Sequence, residues 1–340
     1  MAGTNYADRL AMDALPEKVK AVAFTAKRQT ALVDWEFDHS PLQPNEVVGR
    51  TLVTVVSPGM EVNGYFEDPR DKPEVGGYAA IIEVTALGQA VKDVRIGEHV
   101  FCMGRHAAWQ RFPRAEVVPV PEGLKPQSAV FCRLMGVSWA TLVTTKARPA
   151  DRVVVTGLGL VGNLAAQIFQ SAGYRVTAVD PLEGRRKLAL HAGVKDVRES
   201  AGNDAKLAGR VKLAIECSGH EQAVLDCCRL VAKGGEVSMV GAPWKRRTDV
   251  MAFDLLKEIF NRYVILRSGW EWELPRREAD FREGSTFGDF ASALRWLADG
   301  RINVDGLYRM VRPHDSQWVY EQLAQHGGDE LTVQFDWRNM

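Results

Sequence analysis

The sequence predicts an α/β chain of two domains, one β-rich and one built on a doubly wound parallel sheet, and three observations carry that prediction. Between residue 151 and about residue 267, β-branched apolar runs alternate with helical patterns, as parallel strands joined by crossover helices do. From residue 18 to about 120 the pattern is one of short strands and turns. At 340 residues the chain is long for one core and comfortable for two.

Taken in order, residues 19–24 alternate, 46–56 are rich in β-branched side chains, and 78–85 and 99–103 are apolar runs. Turns at Pro58-Gly59 and Gly76-Gly77 help separate them, and Pro119 and Pro121 close the region. A helix is expected over 129–146, then strands at 152–156, 175–180, 211–216, 236–240 and 263–267. Helices near 289–299 and 316–325 lead to a last strand, 331–336, that returns to the first domain. The expected boundaries are 18–137 with 271–340 for the β-rich domain and 138–270 for the parallel one, with 1–17 as an appended arm.

The first strand of the parallel domain ends in Gly157, Gly159 and Gly162, spaced G-x-G-x-x-G around Leu158, Leu160 and Val161, with a helical pattern behind it. Gly157 allows the tight turn, Gly159 lets a pyrophosphate approach the backbone, and Gly162 lets helix and sheet pack closely. The helix start offers free N–H groups and a partial positive charge to phosphates. The second strand ends in Asp180, which can accept from ribose hydroxyls and would repel a 2′-phosphate. With strand, helix, strand and acid in order, the segment reads as a dinucleotide site. NAD is favoured over NADP, although Arg185 and Arg186 lie close enough to hold the extra phosphate.

Composition excludes other classes. Lys+Arg and Asp+Glu balance at 43 each, which argues against nucleic acid or an anionic membrane as the main partner. No apolar stretch is long enough to span a bilayer, and Asp8, Arg9, Asp13 and Glu17 occupy the place of a signal peptide's apolar core, so the cytoplasm is expected. Five cysteines form no C-x-x-C pair, and they read as core thiols in a reducing compartment.

The chain resembles the medium-chain dehydrogenase/reductase superfamily, alcohol and polyol dehydrogenase type, over about residues 18–340. The resemblance is carried by Gly77 through Gly88 to Gly97-Glu98-His99-Val100, by the glycine motif, by Glu216-Cys217-Ser218-Gly219, and by Gly234-Gly235 to Val240-Gly241. It implies a GroES-like catalytic domain, a Rossmann domain, and an active site in the cleft between them. It also implies that Cys217, Ser218 and Gly241 join the cofactor site, and that a homodimer forms through edge strands, with 263–269 as the edge. Residues 56–61 look like a branch containing sugar, polyol and bacteriochlorophyllide dehydrogenases.

Zinc members of that family hold a catalytic ion with a Cys, a His often followed by Glu, and a second Cys or acid. Matched by spacing, Ser57 stands for the first Cys, Tyr78 for the His and Ala79 for the Glu, and only Cys132 stands at a ligand position. One thiolate cannot make the three-ligand open site of catalytic zinc. The family's four-cysteine structural lobe, expected after Val100, is also absent from the sequence. No zinc is expected, and the chemistry moves to side chains.

Tyr78 is the first candidate, as a donor to a developing oxyanion, because a phenol with a pKa of about 10 is a poor base at neutral pH. Its plainer reading is a packing aromatic. Ser57 relays a proton or is a turn residue, Glu61 is a base or structural, and His106 is an acid or base or a structural histidine. Cys132 reads as an inert buried thiol at the edge of the substrate pocket, because nothing supplies a paired His. Trp270 and Trp272 share a face if their segment is extended, and with Trp109 and Trp139 they can wall a sugar or flat ring, or else pack a core or dimer. Trp244-Lys245-Arg246-Arg247 binds a substrate anion or is a solvated charge run.

The expectation is an NAD-dependent, zinc-independent oxidoreductase for a secondary alcohol of sugar, polyol or cyclitol type. An NADPH-dependent enoyl or quinone reductase, and a nucleotide-binding protein that has lost its chemistry, remain open.

Overall fold

The computed structural model describes residues 15–67, 73–201, 207–325 and 330–340. Most of the expected N-terminal arm lies outside them. The β-rich part opens with β1 (Lys18–Ala26) and β2 (Gln29–Glu36), an antiparallel hairpin, followed by β3 (Glu46–Val55), α1 (Pro58–Tyr65), β4 (Glu74–Val75), β5 (Ala80–Leu87), β6 (His99–Cys102), β7 (Trp109–Pro113) and β8 (Val117–Pro119). Then come α2 (Pro126–Ala129) and α3 (Cys132–Thr144). Helix α1 falls where the sequence suggested a turn. With Gly59 and Gly64 among its eight residues it has little intrinsic helical preference.

The second part holds β9 (Arg152–Thr156), α4 (Leu160–Ser171), β10 (Arg175–Val179), α5 (Glu183–His191), β11 (Val197–Arg198), β12 (Val211–Glu216), α6 (Glu221–Leu230), β13 (Val231–Met239), α7 (Ala252–Arg262) and β14 (Ile265–Ser268). All pairings in its sheet are parallel, in the order β11-β10-β9-β12-β13-β14. That is the doubly wound order, which reverses direction beside β9 and leaves a crevice at the strand C-termini there. Val153, Val154 and Val155 of β9 are all buried, as a strand covered on both faces requires.

The chain then returns through α8 (Thr286–Ala298), β15 (Tyr308–Val311), α9 (Ser316–Ala324) and β16 (Thr332–Asp336). β16 pairs antiparallel with β3, closing the sheet β15-β16-β3-β5-β6-β8, with β7 also on β3. The architecture is the expected GroES-like domain plus Rossmann domain.

One core cluster runs through both domains, from Val53, Ile81 and Phe101 to Val155, Leu164 and Ile215. Helix α3 packs against α4 of the Rossmann domain and α8 of the return segment. Among the described residues, no helix is long and apolar enough to cross a membrane.

Candidate active site

A cleft of 2880 Å³ lies between the two domains. An ordinary small-ligand pocket is roughly 300–1,000 Å³, so there is room for a dinucleotide and a substrate together.

Its cofactor half is made mostly of backbone. Gly157 turns the chain out of β9 at φ +81°, and a Cβ there would stand 2.7 Å from the Ser218 nitrogen. Gly159 is the N-cap of α4, which has no side-chain cap, so the first-turn N–H groups are left for a ligand. A Cβ on Gly159 would meet no protein atom within 4 Å and would instead fill the cradle. Gly162 is behind the cleft wall, where a Cβ would come 1.8 Å from the Gly157 carbonyl oxygen. These three positions suit a bound pyrophosphate.

Leu160, Val161, Asp180, Arg185, Cys217, Ser218 and Gly241 line the cleft beside them. The Asp180 carboxylate accepts from the Leu158 N–H at 2.7 Å and the Leu182 N–H at 2.8 Å, so it shapes the phosphate loop as well as facing the ribose position. Arg185 stands 3.5 Å from it, and Arg186 turns away to donate to the Asp180 and Pro181 carbonyls. Glu216, at the end of β12, accepts from the N–H groups of Ser218 and Gly219 and from the Ser218 hydroxyl. Burial pushes its carboxyl up, against the pull of those bonds.

The substrate half is made of side chains from four segments. Tyr78 follows Gly77, which must be glycine because its φ is +86° and a Cβ would be 2.7 Å from His106. Burial holds the Tyr78 phenol above its ordinary pKa, while the Arg133 charge and a hydrogen bond with Ser57 work the other way. The phenol is therefore protonated at neutral pH. The Arg133 guanidinium lies 4.4 Å from the Tyr78 ring centroid and 5.2 Å from that of Trp272. Its Nη2 donates to Glu271 at 2.9 Å, and both partners are buried.

Several sequence candidates are placed elsewhere. Cys132 is fully buried in the shared core and does not line the cleft; burial raises its thiol far above the ordinary value. Its neighbour Arg133 faces the cleft instead. The sequence reading missed Arg133, although it is the only charge between Pro126 and Thr145 and so stood out in an apolar helix.

His106 is also behind the wall, with Nδ1 2.7 Å from the Thr54 hydroxyl and Nε2 2.9 Å from Glu61. Glu61 touches the cleft but is engaged further by the Ser57 N–H at 2.7 Å and the Tyr320 hydroxyl at 2.5 Å. With every ring nitrogen and carboxylate oxygen engaged, the pair ties α1 to the barrel and to α9. Trp109 packs with Arg50 and Phe37 away from the cleft, and Trp139 packs on Trp296.

Trp270 and Trp272 do line the cleft, but not as an extended strand. β14 ends at Ser268, and a 3-10 turn at Glu271–Glu273 follows. In the basic run, the Trp244 indole N–H donates across the cleft to the Gly59 carbonyl at 2.8 Å, and the Lys245 ammonium caps the Phe66 ring at 4.5 Å. Among the described residues, no group of three or more His, Cys, Asp or Glu side chains is placed to hold a metal ion.

The family model for zinc-binding dehydrogenases matches residues 161–275. An alcohol dehydrogenase of Geobacillus stearothermophilus is 24% identical over 208 residues, 50% of this chain and 61% of that one. The D-guloside 3-dehydrogenase of Escherichia coli is 27% identical over 266 residues, 65% of this chain and 73% of that one.

Among solved structures, galactitol-1-phosphate dehydrogenase from Escherichia coli superposes with a TM-score of 0.77 at 16% identity, covering 93% of this chain and 99% of that one. The whole chain therefore shares the fold of these dehydrogenases, and its residues 161–275 match their family model. Two more structures with this fold carry a nicotinamide cofactor. A putative zinc-binding dehydrogenase from Sinorhizobium meliloti is bound to NADP, with a TM-score of 0.75 at 18% identity and coverage of 94% and 100%. Acetophenone reductase from Geotrichum candidum is in complex with NAD, with a TM-score of 0.76 at 17% identity and coverage of 96% and 99%.

Proposed function

We propose that this protein is a cytoplasmic, NAD-dependent oxidoreductase that interconverts a secondary alcohol, of sugar, polyol or cyclitol type, and its ketone without a metal. The carrying observation is the continuity of one cleft from the glycine cradle of Gly157 and Gly159 to the phenol of Tyr78. When bound, the nicotinamide takes a hydride from the carbinol carbon or returns one to the carbonyl. Tyr78, held protonated by burial, supplies the proton in the reducing direction, with Ser57 as its hydrogen-bonding neighbour. Trp270 and Trp272 offer apolar walls to a ring or polyol chain. The substrates named for the guloside and galactitol-1-phosphate enzymes support the sugar and polyol class. Asp180 supports NAD, since a 2′-phosphate would face a buried carboxylate.

The donors at the cleft do not fit a catalytic zinc. Serine and tyrosine hydroxyls replace thiolate and imidazole, and the neighbouring group is a guanidinium, whose charge would repel a second cation. No step is therefore routed through zinc.

The test is metal analysis of the purified protein, titration with NADH and NADPH, then turnover of a panel of polyols, sugars and ketones. The reading expects no stoichiometric zinc, tighter NADH and turnover in the panel. Bound zinc refutes the metal-free step, tighter NADPH favours the reductase alternative, and NADH binding with no turnover favours a nucleotide-binding protein.

We also propose a homodimer joined at β14. That strand is the sheet edge, and beside it Phe253, Leu256, Phe260 and Tyr263 are exposed, Phe260 by 83%. An apolar, unpaired edge of this kind invites a second copy. Sedimentation should give a dimer for the wild type and a monomer for Phe260→Glu; a wild-type monomer refutes it.

A further inference from the structure

We propose that Arg133 is the catalytic electrophile of this protein, its guanidinium holding the reacting oxygen of the substrate where zinc enzymes of this fold use a metal. This rests on the alcohol and ketone reading above. Three observations carry it. First, Arg133 is 98% shielded yet lies on the cleft wall in the substrate half, at the start of α3. Second, it is fixed: Glu271 accepts from Nη2, and the rings of Tyr78, Trp272 and Phe290 surround the guanidinium at 4.4, 5.2 and 5.7 Å. Third, its Nε and Nη1 atoms are buried with no hydrogen-bond partner.

Buried cationic donors are costly to leave unpaired, and native proteins rarely do so without a use for them. Glu271 engages Nη2, leaving the three N–H groups of Nε and Nη1 without an acceptor, and an oxygen in the cleft would satisfy one of them. A ketone oxygen gains negative charge as its carbon is reduced, and a fixed cation in a water-poor site stabilises that charge more than it does the ground state.

In reduction, the carbonyl carbon takes a hydride with both its electrons from the reduced nicotinamide, and the C=O double bond becomes a single bond. The oxygen takes the phenolic proton of Tyr78, which solvent later restores. Oxidation reverses each transfer and releases one proton. Arg133 exchanges no proton; its N–H groups hold the oxygen throughout. The charged groups around Tyr78 are Arg133, Glu61 and Glu271, and Arg133 is the one that favours the phenolate.

The experiment compares wild type with Arg133→Met, Arg133→Lys and the double variant Arg133→Met/Glu271→Gln, which avoids stranding a buried carboxylate. NADH affinity is expected within about twofold of wild type in all of them, since Arg133 lies outside the phosphate loop. Reductase kcat/KM should fall by about 100-fold or more, the loss typical of one oxyanion donor. Lysine should recover little, because its point charge lacks the fork, and added guanidinium should partly restore the Met variant. The alkaline limb of the oxidation rate should move to higher pH without Arg133. Variants that keep more than a third of wild-type kcat/KM with an unmoved limb overturn the proposal.

A second arm titrates a short-chain carboxamide, a ketone mimic, into each NADH complex, reading tryptophan fluorescence. Binding that depends on Arg133 supports the contact, and equal binding in wild type and Met variant overturns it. Wild type that turns over nothing, yet binds the amide through Arg133, refutes the function reading and keeps the oxygen site.

Discussion

In the cofactor half of the cleft, recognition rests on backbone within one stretch of about two dozen residues: a glycine at positive φ, a second glycine facing open space, a third pressed against the first, and an acid that holds the loop. The proposed substrate half is instead lined by side chains from four separated segments, Ser57, Tyr78, Arg133 and the 270–272 turn. A backbone site is set by where side chains are missing, so small additions destroy it. A side-chain site is set by charge and protonation, so isosteric changes destroy it while the fold stands.

The largest effect should come from crossing the first rule. Gly162→Val forces a Cβ to within 1.8 Å of a backbone oxygen that cannot swing away, and we expect loss of NADH binding together with a lowered thermal midpoint or failure to fold, read by calorimetry. Retained binding would mean the loop is far more compliant than its packing implies. Next, Tyr78→Phe should cut kcat for ketone reduction by about 10²–10⁴-fold with NADH affinity unchanged, read by steady-state kinetics and titration. If affinity falls as much as kcat, the two halves are not separable as described.

Gly159→Ala isolates the cradle itself. Its Cβ meets no protein atom, so the melting temperature should hold while NADH affinity drops about tenfold, or ~1.4 kcal/mol.

The smallest effect concerns Asp289, in the first turn of α8 behind the substrate half. Burial raises its carboxyl to about 7, and its Oδ2 has no partner. The folded state therefore keeps a proton that the unfolded chain gives up near pH 4. This contribution to stability is full below the unfolded pKa and is lost as pH rises through about 7. Asp289→Asn should raise the melting temperature at pH 8 and leave it unchanged at pH 4. An equal effect at both would assign the cost to packing.

The same contrast explains what was legible beforehand. The strand, glycines, helix and acid of the cofactor half could be placed directly, because their positions depend on local spacing. So could the alternation of the parallel sheet and the return of β16 to the first domain. Counting residues from Gly157 led to Cys132, but helical phase put that thiol in the core and its neighbour Arg133 in the cleft. His106 and Glu61 are plausible catalysts by type, yet only the tertiary structure shows them engaged with Thr54, Tyr320 and the Ser57 N–H. Helix α1 escaped because glycines dilute its pattern, and the 3-10 turn at Glu271–Glu273 because nothing local separates it from an extended strand.

The apolar cluster that passes without a break from Val53 and Phe101 into Leu164 and Ile215 makes the two domains one thermodynamic body. Neither can be excised without stripping the other of the surface that keeps it dry, so the chain should melt in a single cooperative transition. That indivisibility means a chain folded enough to shape its glycine loop already has the Tyr78 wall registered against it, as the proposed chemistry requires.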